Sequence, residues 1–160
     1  MKNTQSLKEG TEAELEFISL RGDNIVRRAT KQEDIYQHWD LLDLELGKVD
    51  VKAAKRKHRG GPIDYTIWRE LKTVKRPPSY ISSKGWGVPN DIDRLIAVRS
   101  SFGFHLINPS SIIDDINVRC TQYYRGDYGL HARPDRGDLM TILPLEYIID
   151  NQTSFLEVLQ

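Results

Sequence analysis

The chain has 160 residues, 23 Lys and Arg against 23 Asp and Glu, and one cysteine, Cys120. That length suits one ordinary domain, residues 1–160, able to bury a substantial core. The charge balance excludes an argument from net charge for a polyanionic partner, and a lone cysteine excludes an internal disulfide or a cysteine-rich zinc site.

No apolar run approaches the length of a membrane span, and Met1 to Gly10 lacks the apolar stretch of a signal peptide. The expectation is a soluble, cytoplasmic protein with no membrane partner. The first predicted element is a helix from Leu7 or Thr11 to Leu20, stopped by Gly22. At 100° per residue Ala13, Phe17 and Leu20 share one face, with Ile18 and Leu15 further round. Glu14 falls inside that apolar arc, while Glu12, Glu16 and Ser19 fall on the polar side. An inward carboxylate needs a cation beside it, or else lies at the rim and reaches solvent.

Asn24 to Thr30 is predicted as a short strand. Trp39 to Leu44 and Val49 to Ala54 follow as two more, joined through Glu45-Leu46-Gly47. Tyr65 to Val74, rich in β-formers, is the next strand and is closed by Pro77 and Pro78. Leu95 to Val98 and Phe102 to Ile107 form a hairpin around Ser100 to Gly103. Asn108-Pro109-Ser110-Ser111 opens a helix reaching to about Val118. Leu139 to Leu143 is a strand, and Pro144 to Ile149 a terminal helical turn. The order predicts an α/β (α+β) domain around one mixed sheet.

The chemistry concentrates in the first third. Asp50 and Lys52 alternate on one strand and so share a face. If the hairpin loop is Glu45-Leu46-Gly47, with Gly47 left-handed, Leu44 pairs with Lys48. Leu42 then lies opposite Asp50, and Asp40 opposite Lys52 on the Asp50 face. A two-residue loop would bring Asp43 there instead but needs positive φ at Leu46, so Asp40 is preferred. Trp39, Leu41, Val49, Val51 and Ala53 fall on the other face as core. Carboxylates near one lysine suit phosphodiester hydrolysis. They hold Mg²⁺ through hard oxygens, with Mn²⁺ as a substitute, and the lysine positions water or offsets developing negative charge.

These residues resemble a known family. Gly10-(x3)-Glu14, Gly22, His38-Trp39-Asp40 and Val49-Asp50-Val51-Lys52-Ala53 look like the core of the PD-(D/E)XK nucleases. Trp68-x-Glu70-Leu71, Gly85-Trp86 and Asp93-x-Leu95-Ile96-Ala97 resemble its smaller phage-type members. The resemblance runs from Gly10 to about Ile116. It implies a restriction-endonuclease-like core with a central mixed β-sheet flanked by helices. It also implies Mg²⁺ dependence and phosphodiester cleavage, with Glu14, Asp40 and Asp50 as metal ligands and Lys52 as the catalytic lysine. Two departures stand out: Trp39 replaces the usual proline, and Asp50 stands where Glu is commoner.

An acid-x-Lys triplet alone is weak, because Glu70-Leu71-Lys72 is a second one; those residues are read as surface or supporting groups. The basic run Lys55-Arg56-Lys57-His58-Arg59-Gly60-Gly61 reads as a DNA-backbone contact or as a solvated loop, and its position beside Lys52 favours contact. His38 supports Asp40 or ends a strand on the surface. His58, His105 and His131 lack zinc-ligand spacing. Trp68 and Trp86 are expected in the core rather than stacked on bases. The function expected is a DNA endonuclease, with DNA as partner and a homodimer compatible with two-strand cutting. Its alternative is a nuclease-fold protein that binds nucleic acid, or serves as an accessory subunit, without cutting.

Overall fold

The computed structural model describes residues 4–37, 39–54, 66–71, 93–112, 130–132 and 139–159. Helix α1 spans Thr4–Arg21 and ends where Gly22 takes φ +98°, a conformation that costs glycine least; the Gly22 N–H still donates to the Ile18 carbonyl. Strand β1 (Val26–Arg28) is shorter than predicted, because Thr30 opens an unpredicted helix, α2 (Lys31–Gln37). The Thr30 hydroxyl accepts the Glu33 N–H, and the Glu33 carboxylate accepts the Thr30 N–H at 2.8 Å, a reciprocal capping box.

Strands β2 (Leu41–Asp43) and β3 (Gly47–Ala53) form the expected hairpin in a different register. Leu42, not Leu44, faces Lys48, Leu41 faces Val49, and Asp43 faces Gly47. The cause is Asp43, whose Oδ1 accepts the N–H groups of Glu45 and Leu46 and folds the turn one residue early. Gly47 still has left-handed φ, +82°, but as the first residue of β3. The slip moves β2 by two positions, so each side chain keeps its face.

β5 (Leu95–Arg99) and β6 (Gly103–Ile107) match their predicted positions, and β4 (Thr66–Leu71) falls within the strand expected over Tyr65 to Val74, whose residues 65 and 72–74 lie outside the described residues. A 3₁₀ turn, Pro109–Ile112, begins where a helix to Val118 was expected; the rest of that helix lies outside the described residues. β7 (Leu130–Ala132), β8 (Leu139–Pro144), α3 (Leu145–Asn151) and β9 (Ser154–Glu157) complete the described elements.

The predicted single sheet is two sheets among the described residues. A six-stranded mixed sheet runs β1-β2-β3-β5-β6-β9, parallel between β3 and β5 and antiparallel elsewhere. A three-stranded antiparallel sheet runs β4-β8-β7. Helix α1 covers one face of the larger sheet, burying Ala13 and Phe17 against Leu41, Val49, Val51, Ala97, Phe104 and Leu106. Phe17 meets Phe104 edge-on, ring centroids 5.1 Å apart. On the other face Ile96, Val98 and Ile107 pack with Leu143 and with Ile148 of α3. Leu20 and Leu15, assigned to the buried stripe of α1, are exposed. Glu16, assigned to its polar side, instead forms a two-pronged bond with Arg99 of β5, 2.6 Å for each oxygen. The helix is therefore rotated so that its buried strip runs through Ala13 and Phe17 toward Ile18. No described helix is long and apolar enough to cross a membrane.

Candidate active site

Three pieces of backbone bring the candidate site together. The β3 alternation sends Val49 and Val51 into the α1 core and leaves Asp50 and Lys52 on the opposite side. Asp40 sits in the bend before β2, where its N–H donates to the Val49 carbonyl and its carbonyl accepts the Ala29 N–H. Its carboxylate then turns across β3: Oδ2 accepts the Val51 N–H at 2.8 Å. Trp39 is buried, bonded through its indole N–H to Gln37, and flanked by Arg27 and Lys48. Its packing fixes the approach to Asp40.

Asp40 and Asp50 stand beside each other. Burial, and then the charge of Asp50, push the Asp40 carboxyl up to about 7; Lys52 and the Val51 amide pull in the other direction without prevailing. Lys52 Nζ lies 2.6 Å from Asp50 Oδ1. Asp50 is almost wholly buried while the Lys52 side chain is partly open, so the lysine marks the solvent side of the pair.

Glu14 lies on α1, which packs on the other face of β3, and the charge of Asp40 still reaches it. Burial and the charge of Asp40 raise its carboxyl above the ordinary range, opposed by Arg28 and Lys52. Its oxygen lies 2.6 Å from Arg28 Nη1. Glu14 is thus within the electrostatic reach of Asp40 but is turned toward a β1 arginine. Among the described residues no three His, Cys, Asp or Glu side chains form a group able to hold a metal ion. Asp40 and Asp50 do offer paired hard oxygens, the donor type that Mg²⁺ takes, and their mutual repulsion is what a divalent cation relieves. Glu14 would join them by leaving Arg28.

Two residues of this cluster were not foreseen. Arg28 lies on β1, inside the strand expected over Asn24 to Thr30, but its pairing with Glu14 depends on how α1 packs against that strand. Arg94, buried just before β5, has its charge weakened by burial and supported by Asp50 and Asp40. An arginine directly preceding the apolar run Leu95-Ile96-Ala97-Val98 was the available signal. Asp43, the acid set aside for Asp40, is buried elsewhere and held by Arg21 at 2.6 Å. His38, Lys55, Arg56, Lys57, Arg59, Lys72 and Trp86 lie outside the described residues.

A cavity of about 550 Å³ lies away from this cluster, lined by Phe102, His105, Ile149, Gln152, Phe155 and Val158 among others. Its size does not make it the better candidate. Both nitrogens of its one titratable ring are engaged, His105 Nε2 with Ser100 Oγ at 2.7 Å and Nδ1 with Gln152 Oε1 at 2.8 Å. Reactive groups converge instead at Asp40, Asp50 and Lys52. Compared with known proteins, the chain matches no family model, no curated protein and no solved structure.

Proposed function

We propose that the chain is a metal-dependent nuclease that hydrolyses phosphodiester bonds in DNA endonucleolytically, on a restriction-endonuclease-like core. The observation that carries the reading is the pairing of half-buried Asp40 with buried Asp50, with Lys52 2.6 Å from Asp50. Two carboxylates forced together in a poorly hydrated place are unfavourable alone and suit a bound cation. In this reading Asp40 and Asp50 hold Mg²⁺, with Mn²⁺ as a substitute, and Glu14 completes the set after releasing Arg28. The bound ion supplies Lewis-acid charge at the phosphoryl oxygens and acidifies water.

The protein's own groups do the remaining work. Asp40 stays registered on β3 through the Val51 amide, so its carboxylate keeps its place beside Asp50. Lys52, on the solvent side, orients the attacking water or offsets the charge that develops on the phosphate. Lys55, Arg56, Lys57 and Arg59 follow it directly in sequence and supply the backbone contacts.

The test is incubation with plasmid and with single-stranded DNA, with Mg²⁺ or Mn²⁺ and with chelator. Metal-dependent cleavage that Asp50→Ala abolishes is expected. Binding to DNA without cleavage under every condition would favour a non-cutting nucleic-acid-binding protein.

A further inference from the structure

We propose that Arg94 is a built-in counter-ion of the Asp40–Asp50 pair, so that the site takes up a divalent cation and a phosphodiester anion as a coupled pair. This rests on the nuclease reading and adds to it a positioning residue and a coupling between the two ligands.

The geometry begins with the parallel pairing of β3 and β5, in which Val49 faces Leu95 and Asp50 faces Ile96. Arg94 directly precedes β5 and has the same parity as Ile96, which places it on the Asp50 side of the sheet. It is 4% exposed. A guanidinium that deep is tolerated where negative charge offsets its lost hydration, and Asp50 and Asp40 are the charges that support it.

Charge counting then decides the chemistry. Above pH 7, where Asp40 is ionised, Asp40, Asp50 and Glu14 contribute three negative charges. Lys52, Arg94 and Arg28 contribute three positive ones, Lys52 and Arg28 through ion pairs at 2.6 Å. Among the described residues the cluster is therefore balanced with no ion bound. A divalent cation alone leaves two excess positive charges in a place of low polarity. A phosphodiester oxygen and a water-derived hydroxide carry the two negative charges that restore balance. Cation and anion each raise the other's affinity, by the same factor, as linkage requires. Arg28 at the rim can turn to solvent, whereas buried Arg94 cannot, so Arg94 sets most of the coupling.

The test is calorimetric titration of the whole chain with Ca²⁺, a hard cation of the right chemistry, at a pH above the Asp40 pKa, with and without a short DNA duplex. For the native protein, the duplex is expected to tighten Ca²⁺ binding by about tenfold or more. Arg94→Met is expected to tighten Ca²⁺ binding in the absence of DNA by a similar factor and to shrink the coupling; Arg94→Lys, which keeps the charge, restores native behaviour. A merely structural arginine would not produce tighter metal binding when lost. Equal affinity with and without DNA overturns the proposal, and so does a folded Arg94→Met protein whose affinity is unchanged or weaker. If Arg94→Met does not fold, the native comparison decides alone. Absence of any Ca²⁺ binding sensitive to Asp40→Asn or Asp50→Asn removes the nuclease reading itself. Binding that is sensitive to those changes but indifferent to DNA and to Arg94 removes only this proposal.

Discussion

The Asp40 carboxylate accepts the backbone N–H of Val51, the residue between Asp50 and Lys52, at 2.8 Å. One oxygen of Asp40 is thereby fixed to the strand that carries the other two groups, and the rest of its charge faces Asp50. Asp40 has a folded pKa of about 7 against an ordinary 3.8. A carboxyl raised in this way binds protons more tightly when folded, so stability falls as pH climbs from about 4 to about 7, and the whole penalty is present above 7. Asp40→Asn should remove that slope, because an amide oxygen still accepts the Val51 N–H and the amide N–H₂ can donate to Asp50. One pKa unit is worth about 1.4 kcal/mol. With screening at a partly open site, the variant should be more stable than native by on the order of 2 kcal/mol at neutral pH and above. Denaturant melts across that pH range measure it. A native protein whose stability does not decline toward pH 7 would contradict the placement of the two carboxylates.

Lys52 should matter to rate in a way that depends on pH and metal. Lys52→Met removes a cation 2.6 Å from Asp50 that also restrains the pKa values of Asp40 and Glu14. Cleavage should drop by roughly 10²–10³-fold, the loss typical of a deleted charge-stabilising group. Because proton and Mg²⁺ compete for Asp40, the acidic limb of the native rate profile should lie near pH 7 at limiting Mg²⁺ and move lower as Mg²⁺ rises. In Lys52→Met the same limb should lie at higher pH. Initial rates over a grid of pH and Mg²⁺ concentration check both statements.

Arg21 and Asp43 form the opposite kind of pair, one concerned with the hairpin rather than with chemistry. Burial works against ionised Asp43, but Arg21 at 2.6 Å and the amides of Glu45 and Leu46 outweigh it, holding its carboxyl below the usual range. Arg21→Met should cost about 3 kcal/mol by leaving a buried carboxylate without its guanidinium. The stability from Asp43 is present above the ordinary Asp range and is lost as pH falls through its lower folded pKa. Glu45→Gln should cost little, since that partner of Arg21 is mostly exposed. Thermal unfolding of the two variants separates them.

Alternation made much of the site legible. The spacing of Asp50 and Lys52 carried their shared side, whereas the apolar arc of α1 failed at Leu15 and Leu20, and Glu14 is half-buried against Arg28. What escaped were features decided by local side-chain bonds or by distant strands. The β2–β3 register depended on the Asp43 side chain folding the turn, which glycine position alone does not reveal. Helix α2 had a readable signal, Thr30-Lys31-Gln32-Glu33, a capping box, but its body buries nothing, so no apolar periodicity drew attention to it. Arg94 comes to Asp50 only through the parallel β3–β5 pairing, a contact between residues far apart in the chain. The same long-range pairing decides the split into two sheets, since β4 lies between β3 and β5 in sequence yet pairs with β8.

Two glycines with positive φ differ in what surrounds them. Gly47 has φ +82° with open space where a Cβ would stand, so Gly47→Ala should cost only the left-handed penalty, about 1–2 kcal/mol. At Gly103 a Cβ would run into the Leu156 carbonyl oxygen of β9 and come within 3.0 Å of the Phe155 ring. Neither neighbour yields easily: Leu156 is paired with Phe104, and the Phe155 ring lies 4.8 Å from His105. Gly103→Ala should therefore push β9 off the edge of the larger sheet and cost about 3 kcal/mol or more. Hydrogen exchange should show the loss first in the β6–β9 ladder, with β2–β3 protected as in the native protein. Since the candidate site sits on β3 and β5, metal binding should survive Gly103→Ala at temperatures where the protein remains folded; its loss there would show that the edge and the site unfold as one unit.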